Sequence, residues 1–156
     1  MLIETKLTGL GYTLPEMSPP GALYTPVKQV GNVLYVSGQI PWVNGVPKYT
    51  GKVGGERDIA YGQEAARLCI LNMLAALKDY LGDLDKIKQV VRIYVVVNSV
   101  VGFTEQHLVA NGASGLLISL FGAQGSPARM AVGTNQLPLD VTVEIEGIFE
   151  AAEPSL

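Results

Sequence analysis

Apolar and polar positions along the 156-residue chain change period several times, and each change marks an element. Val27-Lys28-Gln29-Val30 and Val33-Leu34-Tyr35-Val36-Ser37 are β-rich runs on either side of Gly31-Asn32, the arrangement of a two-residue hairpin. Asn44-Gly45 is a second tight-turn signal and predicts a further short strand near Val46 to Tyr49. From about Asp58 to Tyr80 the period lengthens. Ile59, Ala66, Leu68, Ile70, Met73, Leu74 and Leu77 recur at spacings of three and four, with Gly82 as the stop. Asp83 to Ile87 opens a short turn. Val90 to Val97, apolar apart from Arg92, then reads as a largely buried strand. A second helix is expected from about Thr104 to Phe121, weakened by Gly112 and Gly115, and final strands near 128–134 and 141–149. Residues 8–22, rich in Gly and Pro, predict an irregular loop, so about 1–23 is taken as an irregular lead-in to one domain spanning 1–156.

The order is βββ-α-β-α-ββ, an α+β class in which both helices can cover one face of a twisted sheet. The other face then needs a partner. Composition points the same way. With 48% hydrophobic and 16% charged residues, a lone subunit has little charged surface with which to cover itself, and an oligomer is expected. A net charge of −3 and the lack of any basic run give no encouragement to nucleic-acid or anionic-membrane binding. The longest apolar stretches are taken to carry charges and to fall short of a membrane span. Met1-Leu2-Ile3-Glu4 does not have the form of a signal peptide. One cysteine, Cys69, and one histidine, His107, provide neither a disulfide framework nor a metal-ligand set, so no metal or cofactor is expected. The chain reads as cytoplasmic. Cys69 is taken as a small core residue, His107 as surface or interface, and Arg92 as the partner of a carboxylate. Gly51-Lys52-Val53-Gly54-Gly55 lacks phosphate-loop spacing and is set aside.

Candidate chemistry concentrates near the end of the chain. In Ser126-Pro127-Ala128-Arg129-Met130-Ala131-Val132 an arginine stands among small and apolar neighbours, a setting in which a guanidinium can grip a carboxylate through two parallel hydrogen bonds. Arg129, Ala131 and Gly133 share one strand face, and the small residues leave room beside the arginine. If residues 135–138 turn a hairpin, Arg129 lies roughly opposite Glu144, with a ligand space between them. A cross-strand pair that merely neutralises itself at an edge accounts for these residue types equally well. Glu146 reads as solvated or interface-forming.

Ser37-Gly38-Gln39-Ile40-Pro41, Pro127-Ala128-Arg129 and Leu137-Pro138 followed by Val143-Glu144-Ile145-Glu146 resemble the signatures of the Rid family. This is the YjgF-type group of reactive-imine deaminases, sometimes labelled endoribonuclease L-PSP. The resemblance runs from about Tyr24 to Phe149. It implies a chorismate-mutase-like fold, a twisted mixed β-sheet with two helices on one face, assembling as a homotrimer with sites between subunits. It also implies cofactor-independent hydrolysis of 2-imino acids or their enamine tautomers to 2-keto acids and ammonia. Carried over by position, Arg129 would clamp the substrate carboxylate and Glu144 would handle the attacking water. Tyr24, Ser37 and Asn111 would line the site. Ala131 stands where typical deaminases of the group carry a cysteine, and this departure bears on the substrate. The long N-terminal segment and residues 109–114 resemble a longer-chain branch. Two other readings accompany the deaminase: a non-catalytic binder of keto acids or similar carboxylates, and a ribonuclease, which the acidic balance and lack of a basic groove disfavour.

Overall fold

The computed structural model describes residues 2–17 and 19–153; the remaining five positions of the 1–156 span lie outside the described residues. Helix α1 (Leu2–Gly9) precedes strands β1 (Val27–Val30) and β2 (Val33–Gln39), a small hairpin of β3 (Trp42–Val43) and β4 (Val46–Pro47), and helix α2 (Ile59–Leu81). Strand β5 (Ile87–Asn98), helix α3 (Gln106–Phe121), strand β6 (Ala128–Thr134) and strand β7 (Val143–Ala151) follow. Five strands form the main sheet in the order β1-β2-β7-β5-β6. The class is α+β, with a mixed sheet whose one face is covered by α2 and α3, as expected.

Local signals account for most of these elements. The β1–β2 hairpin turns at Gly31-Asn32 with Val30 opposite Val33. Asn44 (φ +52) and Gly45 (φ +75) make a left-handed pair between β3 and β4. That hairpin stays outside the main sheet, so the third strand expected from the sequence is no member of it. Asp58 caps α2 by accepting the Tyr61 N–H at 2.8 Å, and Gly82 (φ +82) ends it by donating to the Lys78 carbonyl. Between Ala65 and Leu77 almost every residue of α2 except Arg67 is buried, because the sheet, α3 and the Tyr12–Leu14 segment enclose the helix on different sides.

Three further expectations about the fold need correction. Residues 2–9 are helical, not irregular. α1 docks through buried Ile3 and Leu7, and the Asp85 carboxylate accepts the N–H groups of Leu2 and Ile3 at 2.7 and 2.9 Å. Those bonds, the one from Ile3 foremost, hold the Asp85 carboxyl down at about 2. Such an anchor sits across a turn of the chain remote in sequence and leaves no periodic signal within α1 itself. Secondly, Gln106–Gly125 carries no charge, and with a mean hydropathy of 1.2 over its apolar window it is long and apolar enough to cross a membrane by composition. Here it is a core helix and its extension, with Val109, Ala110, Ala113, Leu117 and Leu120 packed in the interior.

The third correction concerns topology. β6 and β7 do not form a hairpin. β6 pairs parallel with β5 alone, and β7 lies antiparallel between β2 and β5. Proximity in sequence favours pairing, but β7 buries Val143, Ile145, Gly147, Phe149 and Ala151 on one face and gains two ladders by occupying the centre. The connection crosses the end of β5 and is fastened there by Asn98. This fully buried side chain donates to the Asp140 carboxylate at 2.9 Å and the Val141 carbonyl at 3.1 Å, and accepts from the Lys52 ammonium at 2.7 Å. Leu139 and Asp140 take left-handed φ values of +57 and +54 in the crossing.

Candidate functional site

The register determines where each candidate residue points. Arg129 lies beside Ile93, and Ile93 beside Gly147; Val132 lies beside Val96, and Val96 beside Glu144. Ile93, Val95 and Val97 are buried under the helices, so Arg129, Ala131 and Gly133 share the helix-covered face. Glu144 shares the opposite face with Tyr94, Val96, Glu146 and Ile148. Arg129 and Glu144 are therefore not neighbours across a hairpin. β5 lies between their strands and the sheet itself lies between their side chains.

Arg129 sits at the free edge of the sheet and is exposed, yet it is held firmly. Its Nη1 donates to Asn111 Oδ1 at 2.8 Å and to Ser114 Oγ at 3.1 Å, and its Nη2 donates to the His107 carbonyl at 3.3 Å. His107, Asn111 and Ser114 follow one another at spacings of four and three and so form one stripe along α3. A guanidinium has five N–H donors; among the described residues three are engaged, leaving the Nε–H and one Nη2 hydrogen for a carboxylate. Asn111 is thus brought to the arginine. Ser114 and the His107 backbone were missed, and the helical spacing from Asn111 is the signal that could have found them. The room expected over Gly133 is taken: a side chain there would meet Gln106 Nε2 at 2.8 Å and Ser99 Oγ at 2.9 Å. Ala131, half-buried, packs against the core.

Glu144 has different surroundings. It is half-buried on the face with no helices, and its carboxyl lies against Gly38 in the irregular stretch of β2 between Val36 and Gln39. Burial first, and the neighbouring Glu146 second, raise its carboxyl above the ordinary glutamate value. Ser37, next to Gly38, donates from its hydroxyl to the Thr25 carbonyl at 2.6 Å, beside Tyr24. The hydroxyl is thus partly spent on the local backbone. Tyr24 lines a small cavity of about 20 Å³ with Met17, Pro20, Pro26, Gln39, Trp42 and Asn72. Ser37 and Glu144 therefore meet around Gly38, apart from the Arg129 group, whereas the cavity that Tyr24 lines includes Asn72 and Ala76 of α2 and neither Ser37 nor Glu144.

Other candidates resolve simply. Cys69 is fully buried, donates to the Val143 carbonyl at 3.5 Å, and burial pushes its thiol pKa well up, as a core residue should. Arg92 lies over the Tyr94 ring, 5.9 Å from its centre, and not against a carboxylate among the described residues. A hollow of about 850 Å³ lies at the start of α2 between Gly54 and Tyr61 on one side and Phe103 and Glu105 on the other. None of the candidate residues lines it, so volume and chemistry disagree. The chemistry is the better guide, because Asp58 already satisfies that helix end. No group of three or more His, Cys, Asp or Glu among the described residues could hold a metal ion.

The uncovered sheet face carries the rows Tyr35–Ile148–Arg92–Ala128, Glu146–Tyr94–Met130 and Glu144–Val96–Val132. Tyr35 and Met130 are nearly half exposed there.

Comparison with known proteins agrees with this architecture. A family profile described as "YjgF/chorismate_mutase-like, putative endoribonuclease" matches residues 4–149. Protein TCP17 of Trypanosoma cruzi is 42% identical over 149 residues, covering 95% of this chain and 93% of that protein. The crystal structure of Atu1372, a protein of unknown function from Agrobacterium tumefaciens, is 47% identical. It superposes with a TM-score of 0.89 over 96% of this chain and 94% of that one. A "putative endoribonuclease" from Shewanella oneidensis is 33% identical, with a TM-score of 0.92 over 96% and 99% of the two chains. The chain belongs to the YjgF/Rid family.

Proposed function

We propose that the protein is a cofactor-independent deaminase that hydrolyses 2-imino acids or their enamine tautomers to 2-keto acids and ammonia, in a site assembled from two subunits. One observation carries this reading. The Arg129 guanidinium is anchored through three of its donors and keeps a carboxylate-sized pair free at a sheet edge. An arginine that served only as the partner of Glu144 would face it, and these two residues occupy opposite faces.

The division of labour follows from the surroundings. Arg129 fixes the substrate carboxylate, with its own orientation set in advance by Asn111 and Ser114. The imine carbon is already electrophilic and needs water delivered to it. Glu144, half-buried with a raised carboxyl pKa, takes a proton from that water, a contribution typically of ~10²- to 10⁴-fold. Ala131 supplies no thiol, so water delivery rests on the carboxylate. Since one subunit keeps Arg129 and Glu144 on opposite sides of its sheet, a substrate reaches both when Arg129 of one copy stands against Glu144 of another. A homotrimer closed through the uncovered sheet face meets that need with three equivalent sites.

Reading the protein as a binder of keto acids rests on the same arginine and differs only in Glu144 being idle. An RNA-cleaving reading has weaker support: the net charge is −3, and His107, the one histidine, contributes its backbone carbonyl to the arginine.

The test is release of ammonia and keto acid from imines generated in situ by an amino-acid oxidase. Native protein should accelerate it, and Arg129→Ala should not. Loss of two charge-assisted bonds of about 1.5–3 kcal/mol each amounts to a fall in kcat/KM of roughly 10²- to 10⁴-fold. If native protein, still binding a 2-keto acid by calorimetry, leaves release at the buffer rate, the binder reading takes its place.

A further inference from the structure

We propose that Gly38 is a positioning residue for Glu144: its bare backbone is the seat on which the carboxyl rests, and a side chain there would drive that carboxyl off its place. A Cβ built on Gly38 falls 2.6 Å from Glu144 Oε1, 3.3 Å from Cδ and 3.4 Å from Cγ. The end of the glutamate side chain thus lies along the glycine Cα.

Two features separate this from an ordinary structural glycine. Gly38 does not take a left-handed φ, unlike Gly31, Gly45, Gly51 or Gly54, so its backbone conformation is open to other residues. The three atoms nearest to a Cβ there all belong to the Glu144 side chain, in contrast to Gly112, where a Cβ would strike the Gln63 main chain at 2.5 Å. The tight approach that a side chain at position 38 would make is to the glutamate. The glycine lets the carboxyl lie down against the sheet and lose part of its water. That burial is the leading cause of its raised pKa.

The inference builds on the reading of Glu144 as the group that handles water, and the experiment separates the two. Protein carrying ¹³C-labelled glutamate carboxyls is titrated by NMR, with the Glu144 signal identified by its loss in Glu144→Gln. In Gly38→Ala, whose only clash is with a flexible side chain, the protein should fold with the Glu144 carboxyl displaced into water. It should then titrate lower, towards ordinary glutamate. In imine hydrolysis kcat should fall by about tenfold to a hundredfold while KM stays nearly constant, since the Arg129 clamp is untouched. Shortening the partner in Gly38→Ala/Glu144→Asp, which clears the new methyl, should recover part of kcat relative to Gly38→Ala. An unchanged Glu144 titration in folded Gly38→Ala overturns the proposal, as does a KM effect with kcat intact. If the titration moves but native protein releases no ammonia, the deaminase reading fails and the hold of Gly38 on Glu144 stands supported.

Discussion

The Arg129 group and the Glu144 group solve opposite problems. Arg129 is exposed, and its position is bought with hydrogen bonds from one stripe of α3. Glu144 is half-buried, and its position comes from contact: a strand floor, a missing side chain at Gly38, and little water. A charge that must meet a ligand arriving from solvent needs orientation without desolvation, because its attraction for a carboxylate depends on staying ionised and reachable. A base that must take a proton near neutral pH needs some desolvation, because a fully solvated carboxylate is too weak a base. One strand edge and one sheet floor cannot provide both conditions at the same point. The chain separates them, and in the proposed function contact between subunits is what brings them together.

The largest effect that can break this comparison comes from mixing variants. Arg129→Ala and Glu144→Gln should each be nearly inactive alone. Unfolded together and refolded as a 1:1 mixture, they should recover about a quarter of native activity, since each site draws its halves at random from the two kinds of subunit. Recovery no greater than the sum of the two parents would place both halves of the site within one subunit, and the composite arrangement would be wrong.

A smaller effect sharpens the description of the arginine half. Asn111→Ala removes the shorter bond to Arg129 and should raise KM about tenfold, with kcat changed less, because the clamp acts on ground state and transition state alike. Ser114→Ala removes a longer bond to a neutral hydroxyl and should cost only a few-fold in KM. Equal effects, or effects confined to kcat, would mean that α3 does more than aim the guanidinium. Steady-state kinetics over a series of imine concentrations distinguishes these outcomes.

How far the sequence foretold this depends on what kind of information each feature uses. Local chemistry was legible. Gly31-Asn32, Asn44-Gly45, Asp58 and Gly82 mark turns and caps through their own backbone and side chains, and the boundaries of α2, α3 and β6 lay within about two residues of the pattern. The family signatures also pointed to Arg129, Glu144, Tyr24, Ser37 and Asn111; Asn111 contacts Arg129, Ser37 adjoins the Gly38 on which Glu144 rests, and Tyr24 lines a cavity of its own. What could not be read was pairing at a distance. The crossing over β5 depends on Asn98 reaching Asp140 and Val141, more than forty positions away, and nothing in the 135–142 segment distinguishes it from a hairpin loop. The docking of α1 depends likewise on Asp85, more than eighty positions on. Gly38 was visible as part of a motif, but its steric relation to Glu144 exists only once β2 and β7 are paired.

The smallest predicted effect probes the carboxylate half through charge alone. Glu146 stands two residues from Glu144 on the same face and is the second cause of its raised pKa, after burial. Glu146→Gln leaves the burial and removes the repulsion, so the Glu144 carboxyl should ionise at lower pH than in native protein while remaining above ordinary glutamate. Activity needs the ionised form, and the acid limb of kcat/KM should move to lower pH with the plateau unchanged. The sign for stability is fixed by the same shift. A carboxyl whose folded pKa is raised favours the fold while protonated and loses that contribution as pH rises from the unfolded value through the folded one. Glu146→Gln should therefore raise Tm slightly at neutral pH and leave it unchanged in acid below the unfolded glutamate pKa, where both forms carry the Glu144 proton. A pH–rate profile with melting curves at the two pH values checks both signs. An acid limb that stays in place would assign it to a group other than Glu144 and remove the carboxylate half of the comparison, whereas Arg129 would keep its role.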